Sequence, residues 1–324
     1  MVWALVVVMA GVIALTVPSP ASGQGAFPSR PIQIVVPYPP GGTSDLQVRV
    51  LQEPLRRILG QPIVVDNRPG AAGALATRQV ARATPDGHTL LFPNNALVIT
   101  PSLSQDAGYH PIKDLAPVSL ISLAPMLLVV HPSVPANSVR ELIRYAKANP
   151  GKLEYATAGH GSFGHLATEL FSKAAGIRML HVPYKGQAPA TMAVLSGEVK
   201  VLMTTTSSAM NTHIKEGKVR LLGVSSLRPS PLAPGAVPIA ATVPNFSTEV
   251  WFGVFAPAGT PPDVIGRLNA ALAEALATPE IRDRFAGFGV TATSSTPAQL
   301  AERVAREYAE WESVIRAADI KPEE

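Results

Sequence analysis

The chain has 324 residues, 47% of them apolar and 15% charged, enough apolar material for more than one packed lobe and unlike the composition of a disordered chain. Its 27 lysines and arginines outnumber 23 carboxylates for a net charge of +4, but the bases are scattered, at most in pairs such as Arg56 and Arg57. Such scatter describes a solvated surface and argues against nucleic acid as a partner. The absence of cysteine excludes disulfides, thiolate metal sites, a cysteine nucleophile and lipid attachment through an N-terminal cysteine.

Residues 1–29 carry no charged side chain, and 2–17 form an apolar block followed by Pro, Ser, Ala and Gly. The block is shorter than the roughly 20 residues that span a bilayer. It reads as a secretory signal peptide, residues 1–23, although the basic residue that opens most signals is missing. The expected location is the periplasm. Beyond it, 32–36 reads as a buried strand, and Leu46, Val50, Leu51, Leu55, Ile58 and Leu59 recur at helical spacing. Further strands are expected at 63–66, 89–93, 126–130, 153–157, 179–182, 199–204, 221–225 and 252–256. Helices are expected at 45–59, 73–83, 138–148, 164–175, 188–196, 262–278, 281–287 and 297–318. This alternation predicts an α/β fold with mainly parallel sheets flanked by helices.

The first strand runs into its helix through "PPGGTSD", and a second Gly-rich turn, "AGHGSFG", stands in the same relation to the helix at 164–175. Each helix is followed by a strand bracketed by glycines ten positions apart, Gly60 and Gly70 in one case, Gly176 and Gly186 in the other. The order turn, helix, strand, proline-glycine turn thus occurs twice, as two lobes of similar wiring would show. Ligands of open α/β sheets bind at the carboxyl ends of strands, and a helix N-terminus offers unpaired amides and a partial positive charge to an anion. The turns at 41–45 and 159–164 are therefore candidate halves of a two-jawed anion site, with Tyr38 as one wall of it and Ser162 as a hydroxyl donor or helix cap. Asn94, Thr204 and Thr205 follow strands and add small polar groups. Asp45 reads more naturally as a helix cap than as a ligand contact, and Tyr184 as a turn residue.

Other chemistries fit less well. Residues 159–164, "GHGSFG", satisfy G-x-G-x-x-G, yet the next strand has no acidic residue to hold a ribose. Ser162 falls in a turn resembling a hydrolase nucleophile elbow, but His160 occupies the place of its first glycine. An exported serine hydrolase is the alternative enzymatic reading. His160 and His165, five apart, are expected on different helix faces, and none of the seven histidines forms a recognised ligand pattern. No metal, cofactor or catalytic residue is expected.

The segments "PYPPGGTSD", "VVDNRPGAAGA", "TPDGHTLL", "ANPGKLEYATAG", "HVPYKGQAPA" and "WFGVFAPAGTP" closely resemble, in order, the solute-binding receptors of tripartite tricarboxylate transporters, the Bug family. The resemblance implies a two-lobed periplasmic receptor of the type II binding-protein fold. Its lobes would comprise residues 27–125 with 228–324, and residues 126–227. It would act as a monomer, closing over a small organic carboxylate and delivering it to membrane permease subunits or, alternatively, to a sensor. In the family the two Gly-rich turns hold the carboxylate, which carries over to Gly42, Thr43 and Ser44, and to His160, Gly161, Ser162 and Phe163. The chain departs from the family at Thr204, where an acidic residue is common, and at Ala72, Ala74 and His88.

Overall fold

The computed structural model describes residues 27–104, 107–318 and 320; the expected signal segment lies outside them. β1 (Ile32–Val36) is the apolar run IQIVV, almost wholly buried. α1 (Thr43–Leu59) turns Val48, Leu51, Leu55 and Leu59 onto the sheet, as the 3.6-residue period requires. β2 (Ile63–Asn67), α2 (Ala74–Ala81) and β3 (Thr89–Leu91) follow, and β2 and β3 pair with β1 in parallel. α3 (Ala96–Leu103) has no counterpart among the expected helices. Its residues 97–100 are all buried, so its sequence is apolar all round and shows no amphipathic period.

β4 (Leu115–Val130) is sixteen residues long, where only 126–130 was expected to be strand. Pro117 and Pro125 argue against a strand because they cannot donate to a ladder. The structure accommodates both: the register with its neighbour shifts just after Pro117, and Pro125 is the last residue paired on that side. The second sheet follows as α4 (Val139–Ala148), β5 (Glu154–Thr157), α5 (Phe163–Ala175), β6 (Leu180–Pro183), α6 (Gln187–Leu195), β7 (Val201–Thr205), α7 (Ser208–Lys215) and β8 (Arg220–Val224). The chain then returns through β9 (Glu249–Pro257), α8 (Pro262–Ala277), α9 (Pro279–Gly287), β10 (Thr291–Ala292) and α10 (Pro297–Ala317). α7 and β10 were also missed, α7 because a Ser- and Thr-rich stretch reads as a turn.

The strand order is β2-β1-β3-β9-β4-β7-β5-β6, with β10 and β8 also on β4. Each half has a parallel trio, β2-β1-β3 and β6-β5-β7, while β9, β10 and β8 run antiparallel to β4. The sheets are therefore mixed, with a larger antiparallel share than helix-strand alternation alone suggests. β4 pairs with β9 up to Pro125 and with β7 from Met126 onward. Beside that junction the fully buried Ser225 accepts the Met126 amide at 2.8 Å and donates its hydroxyl to the Thr248 carbonyl. The two chain crossings are thus tied to each other by one side chain.

Apolar clusters cover both faces of each sheet, with Val48, Leu51 and Leu268 on one face of the first and Val98, Leu300 and Trp311 on the other. Within the latter lies a polar knot. The buried Glu307 accepts Trp251 Nε1–H at 2.7 Å, Asn95 Nδ2–H at 3.2 Å and Arg303 at 3.0 Å, and Asn95 in turn accepts the Trp251 amide at 2.9 Å. Burial pushes the Glu307 carboxyl upward, opposed mainly by Arg303. Removing the carboxylate strands the buried Trp251 indole N–H, takes one of two acceptors from Asn95 Nδ2 and unpairs Arg303, which is costlier than the bonds are stabilising. Glu307→Ala is expected to lower the unfolding free energy by about 3–5 kcal/mol, read by urea denaturation; a loss below about 1 kcal/mol contradicts the importance assigned to the knot.

Candidate functional site

β1 delivers the chain to α1 through a turn in which Gly41 has φ +82° and Gly42 is the extended N-cap, without a side-chain cap bond. The first-turn amides of α1 therefore lack the usual hydroxyl or carboxylate partner. Thr43 is exposed, whereas Ser44 and Asp45 are buried. Asp45 faces inward, accepting the Gly41 amide and Arg49 Nε, each at 2.8 Å. Burial raises its pKa, but the bonds from Arg49 and Gly41 outweigh that and hold the carboxyl below its ordinary value. The cap-like reading of Asp45 fits this geometry, with the refinement that it secures the turn before the helix.

Tyr38 lies beside this turn. Its hydroxyl donates to Asn94 Oδ1 at 2.5 Å, and Asn94 Oδ1 also accepts the Ala96 amide at 2.9 Å, starting α3. Burial raises the Tyr38 pKa far above its usual value, which keeps the phenol a neutral donor. Asn67 Nδ2 donates to the Tyr38 carbonyl at 3.1 Å. Tyr38 and Asn94, seen separately in sequence, thus form one hydrogen-bonded pair.

The second Gly-rich turn joins β5 to α5. Ser162 is the N-cap: its Oγ accepts the His165 amide at 3.3 Å and donates to the Gly159 carbonyl at 2.7 Å. Those bonds commit the hydroxyl to backbone, with no histidine partner of the kind a serine nucleophile needs. Phe163 packs edge-on against Trp311, ring centroids 5.6 Å apart, so its side chain meets α10. Gly161, at φ +65°, donates its amide to His165 Nδ1 at 3.1 Å, and a Cβ there would stand 2.8 Å from Leu103 of α3. Tyr184 turns its hydroxyl to Glu198 at 2.8 Å, and burial followed by that bond pushes its pKa up to about 12.

One expectation is overturned. His160 and His165 do not point apart: their ring centroids are 5.5 Å apart, and both approach His181 of β6. Helical spacing fails because His160 precedes α5 and is placed by the turn. His181 comes from the neighbouring strand, which no sequence interval reveals. Burial, then the neighbouring imidazoles, lower the pKa of His165 to about 3 and of His181 to about 4, keeping both rings neutral.

A cavity of about 440 Å³ brings Thr43 of the first sheet's helix together with Thr205, Thr206, Ser207, Ser208 and Asn211 from the end of β7 and the start of α7. Phe252, Phe288 and Gly289 complete its wall. Of the sequence candidates it gathers Thr43 and Thr205; Tyr38, Gly42, Ser44, Asn94, residues 160–163 and the buried Thr204 lie outside its lining. Asn211 and Gly289 escaped sequence reasoning because nothing local marks them. A larger cavity of about 570 Å³ lies toward α10, where Arg228, Arg303 and Arg306 are offset by Glu249, Glu307 and Glu310. Its mixed charge makes it the poorer home for an anion, despite its size.

The Asp45 carboxylate contributes stability above roughly pH 4 and loses it as pH falls through its depressed folded pKa. Asp45→Asn is expected to cost about 1–2 kcal/mol at pH 7 and less at pH 3, measured by denaturant unfolding at both. An equal cost at the two pH values contradicts the charged role.

A family model described as "Tripartite tricarboxylate transporter family receptor" matches residues 47–320. Among solved structures, the periplasmic binding protein BugD is 33% identical with a TM-score of 0.69, over 92% of this chain and 100% of that one. Rpa4515 of R. palustris, determined with adipate, is 34% identical with a TM-score of 0.72, over 92% and 100%. MatC (Rpa3494) from Rhodopseudomonas palustris, with bound malate, is 32% identical with a TM-score of 0.68, over 89% and 100%. The chain folds as a periplasmic binding protein and belongs to the tripartite tricarboxylate transporter family of receptors.

Proposed function

We propose that the protein is a periplasmic receptor that captures a small organic dicarboxylate between two lobes and delivers it to the permease subunits of a tripartite tricarboxylate transporter. The lobes are residues 27–125 with 228–324, and residues 126–227, hinged where β4 changes partners and where the chain returns after β8. The observation that carries this reading is the 440 Å³ cavity, whose lining joins Thr43, beside the uncapped start of α1, to Thr205, Ser207 and Ser208, with Ser207 capping α7. An anion there meets amides, hydroxyls and a helix dipole without a bulk cation. Adipate on Rpa4515 and malate on MatC support the ligand class, since both carry two carboxylates.

Gly42, Thr43 and Ser44 would hold one carboxylate. The Tyr38–Asn94 pair would form a neutral wall, and Thr204 and Thr205 a floor. Closure of the lobes would bring the turn His160, Gly161, Ser162 and Phe163 toward the same ligand. Thr204 leaves that floor without negative charge, which suits a ligand lacking an ammonium group. Among the described residues no helix is long and apolar enough to cross a membrane.

Calorimetry tests the proposal on protein unfolded and refolded to strip copurified ligand, titrated with a panel of C4–C6 dicarboxylates including malate and adipate. At least one is expected to bind, and Thr43→Ala and Thr205→Ala are each expected to weaken it about tenfold, the worth of one hydrogen bond to a charged group. No binding across the panel, or unchanged affinity in both variants, sinks the assignment.

A further inference from the structure

We propose that His160, His165 and His181 form a binding site for a first-row divalent transition metal, of which Zn²⁺ is the representative. The three imidazoles come from the turn before α5, the first turn of α5 and strand β6, and each offers a nitrogen within 4.8 Å of the others. His165 is buried, His181 half-buried and His160 exposed, so the cluster has a solvent entry at His160. His165 and His181 stack at 3.8 Å between centroids, and His160 meets both edge-on, at 5.5 and 4.8 Å.

The surroundings of His181 favour ligation. Its Nε2 stands 2.6 Å from Thr157 Oγ1, and the Thr157 hydroxyl lies 3.1 Å from the Gly159 carbonyl as a donor. With the hydroxyl proton directed to that carbonyl, Oγ1 accepts N–H from Nε2, leaving the lone pair on Nδ1. This is the outer hydrogen bond by which metal-binding histidines are oriented. Tyr155 packs beside His181, ring centroids 5.0 Å apart.

His165 sets a condition on binding. Its Nδ1 accepts the Gly161 amide, so ligation through Nδ1 needs that lone pair released, and ligation through Nε2 needs a proton on Nδ1. In either case the Gly161 amide must turn away. His160 lies between Gly159, at φ +135°, and Gly161, at φ +65°. On a tetrahedral zinc with bonds of about 2.1 Å, ligand nitrogens lie about 3.4 Å apart, so binding closes the turn that carries His160 and rotates His165 and His181 out of their near-parallel stack until the in-plane lone pairs converge. Three neutral nitrogens and no carboxylate in the cluster select borderline metals over Ca²⁺ or Mg²⁺. A fourth position is left for water or an anion.

The test titrates untagged, EDTA-treated full-length protein with ZnCl₂ by calorimetry and with CoCl₂ by visible absorption, without carboxylate. Expected are one equivalent of Zn²⁺, intense tetrahedral Co²⁺ bands, at least tenfold weaker Zn²⁺ binding in His160→Ala, and unchanged binding in His131→Ala. His160 is exposed, so its truncation does not open the core. No stoichiometric binding, or equal affinity in wild type and His160→Ala, overturns the proposal. Dicarboxylate titration of the same metal-free protein reports separately on the proposed receptor function.

Discussion

Two sheets share one strand, and that sharing fixes where the two halves of the protein face each other. β4 is a partner of β9 up to Pro125 and of β7 from Met126 onward. A strand that changes partners midway has a point where neither sheet holds both of its sides, and there Ser225 links Met126 to Thr248. The remaining architecture follows from this. The parallel trios β2-β1-β3 and β6-β5-β7 are hung on opposite ends of the crossing, so α1 and α7 start at the cavity between them. Right-handed parallel units leave helix N-termini at the carboxyl ends of strands, which is why backbone amides are the polar groups in supply.

The charge distribution separates the two cavities more clearly than their volumes do. Three arginines line the larger one, but Glu249, Glu307 and Glu310 stand among them, and burial raises the pKa of all three carboxyls. Glu307 and Arg303 among them are engaged in the knot that holds α10 to β9. Among the described residues, none lining the smaller cavity carries a charged side chain. The proposed recognition there would rest on aligned dipoles and hydroxyls, an arrangement that discriminates by geometry more than by net charge.

Much of this architecture is visible in the sequence because its signals are local. The apolar run 32–36, the 3.6-residue pattern after Thr43 and the repeated Gly-rich turns are each contained in a dozen residues. What escaped is non-local or contradicts a local rule. β4 was half hidden by Pro117 and Pro125, which are tolerated at a register shift and at a change of partner. α3 has no polar face to betray its period, and α7 begins in a run of Thr and Ser. At the candidate site, single residues such as Tyr38, Asn94 and Thr205 stand out at strand ends, but the Tyr38–Asn94 bond, the presence of Asn211 and Gly289, and the convergence of His181 on His160 and His165 depend on distant segments meeting. Spacing along a helix misled for His160 because that residue is not on the helix.

The most direct measurement is an experimental structure of the protein purified without unfolding, so that any ligand it acquired in the cell is retained. A small dicarboxylate is predicted in the cavity at the start of α1, with one carboxylate on the Gly42–Ser44 backbone and Thr43, and with Thr205 within hydrogen-bond reach. A ligand held instead by Arg228 and Arg306 in the larger cavity, or one carrying no carboxylate, contradicts dipole-based recognition at this site.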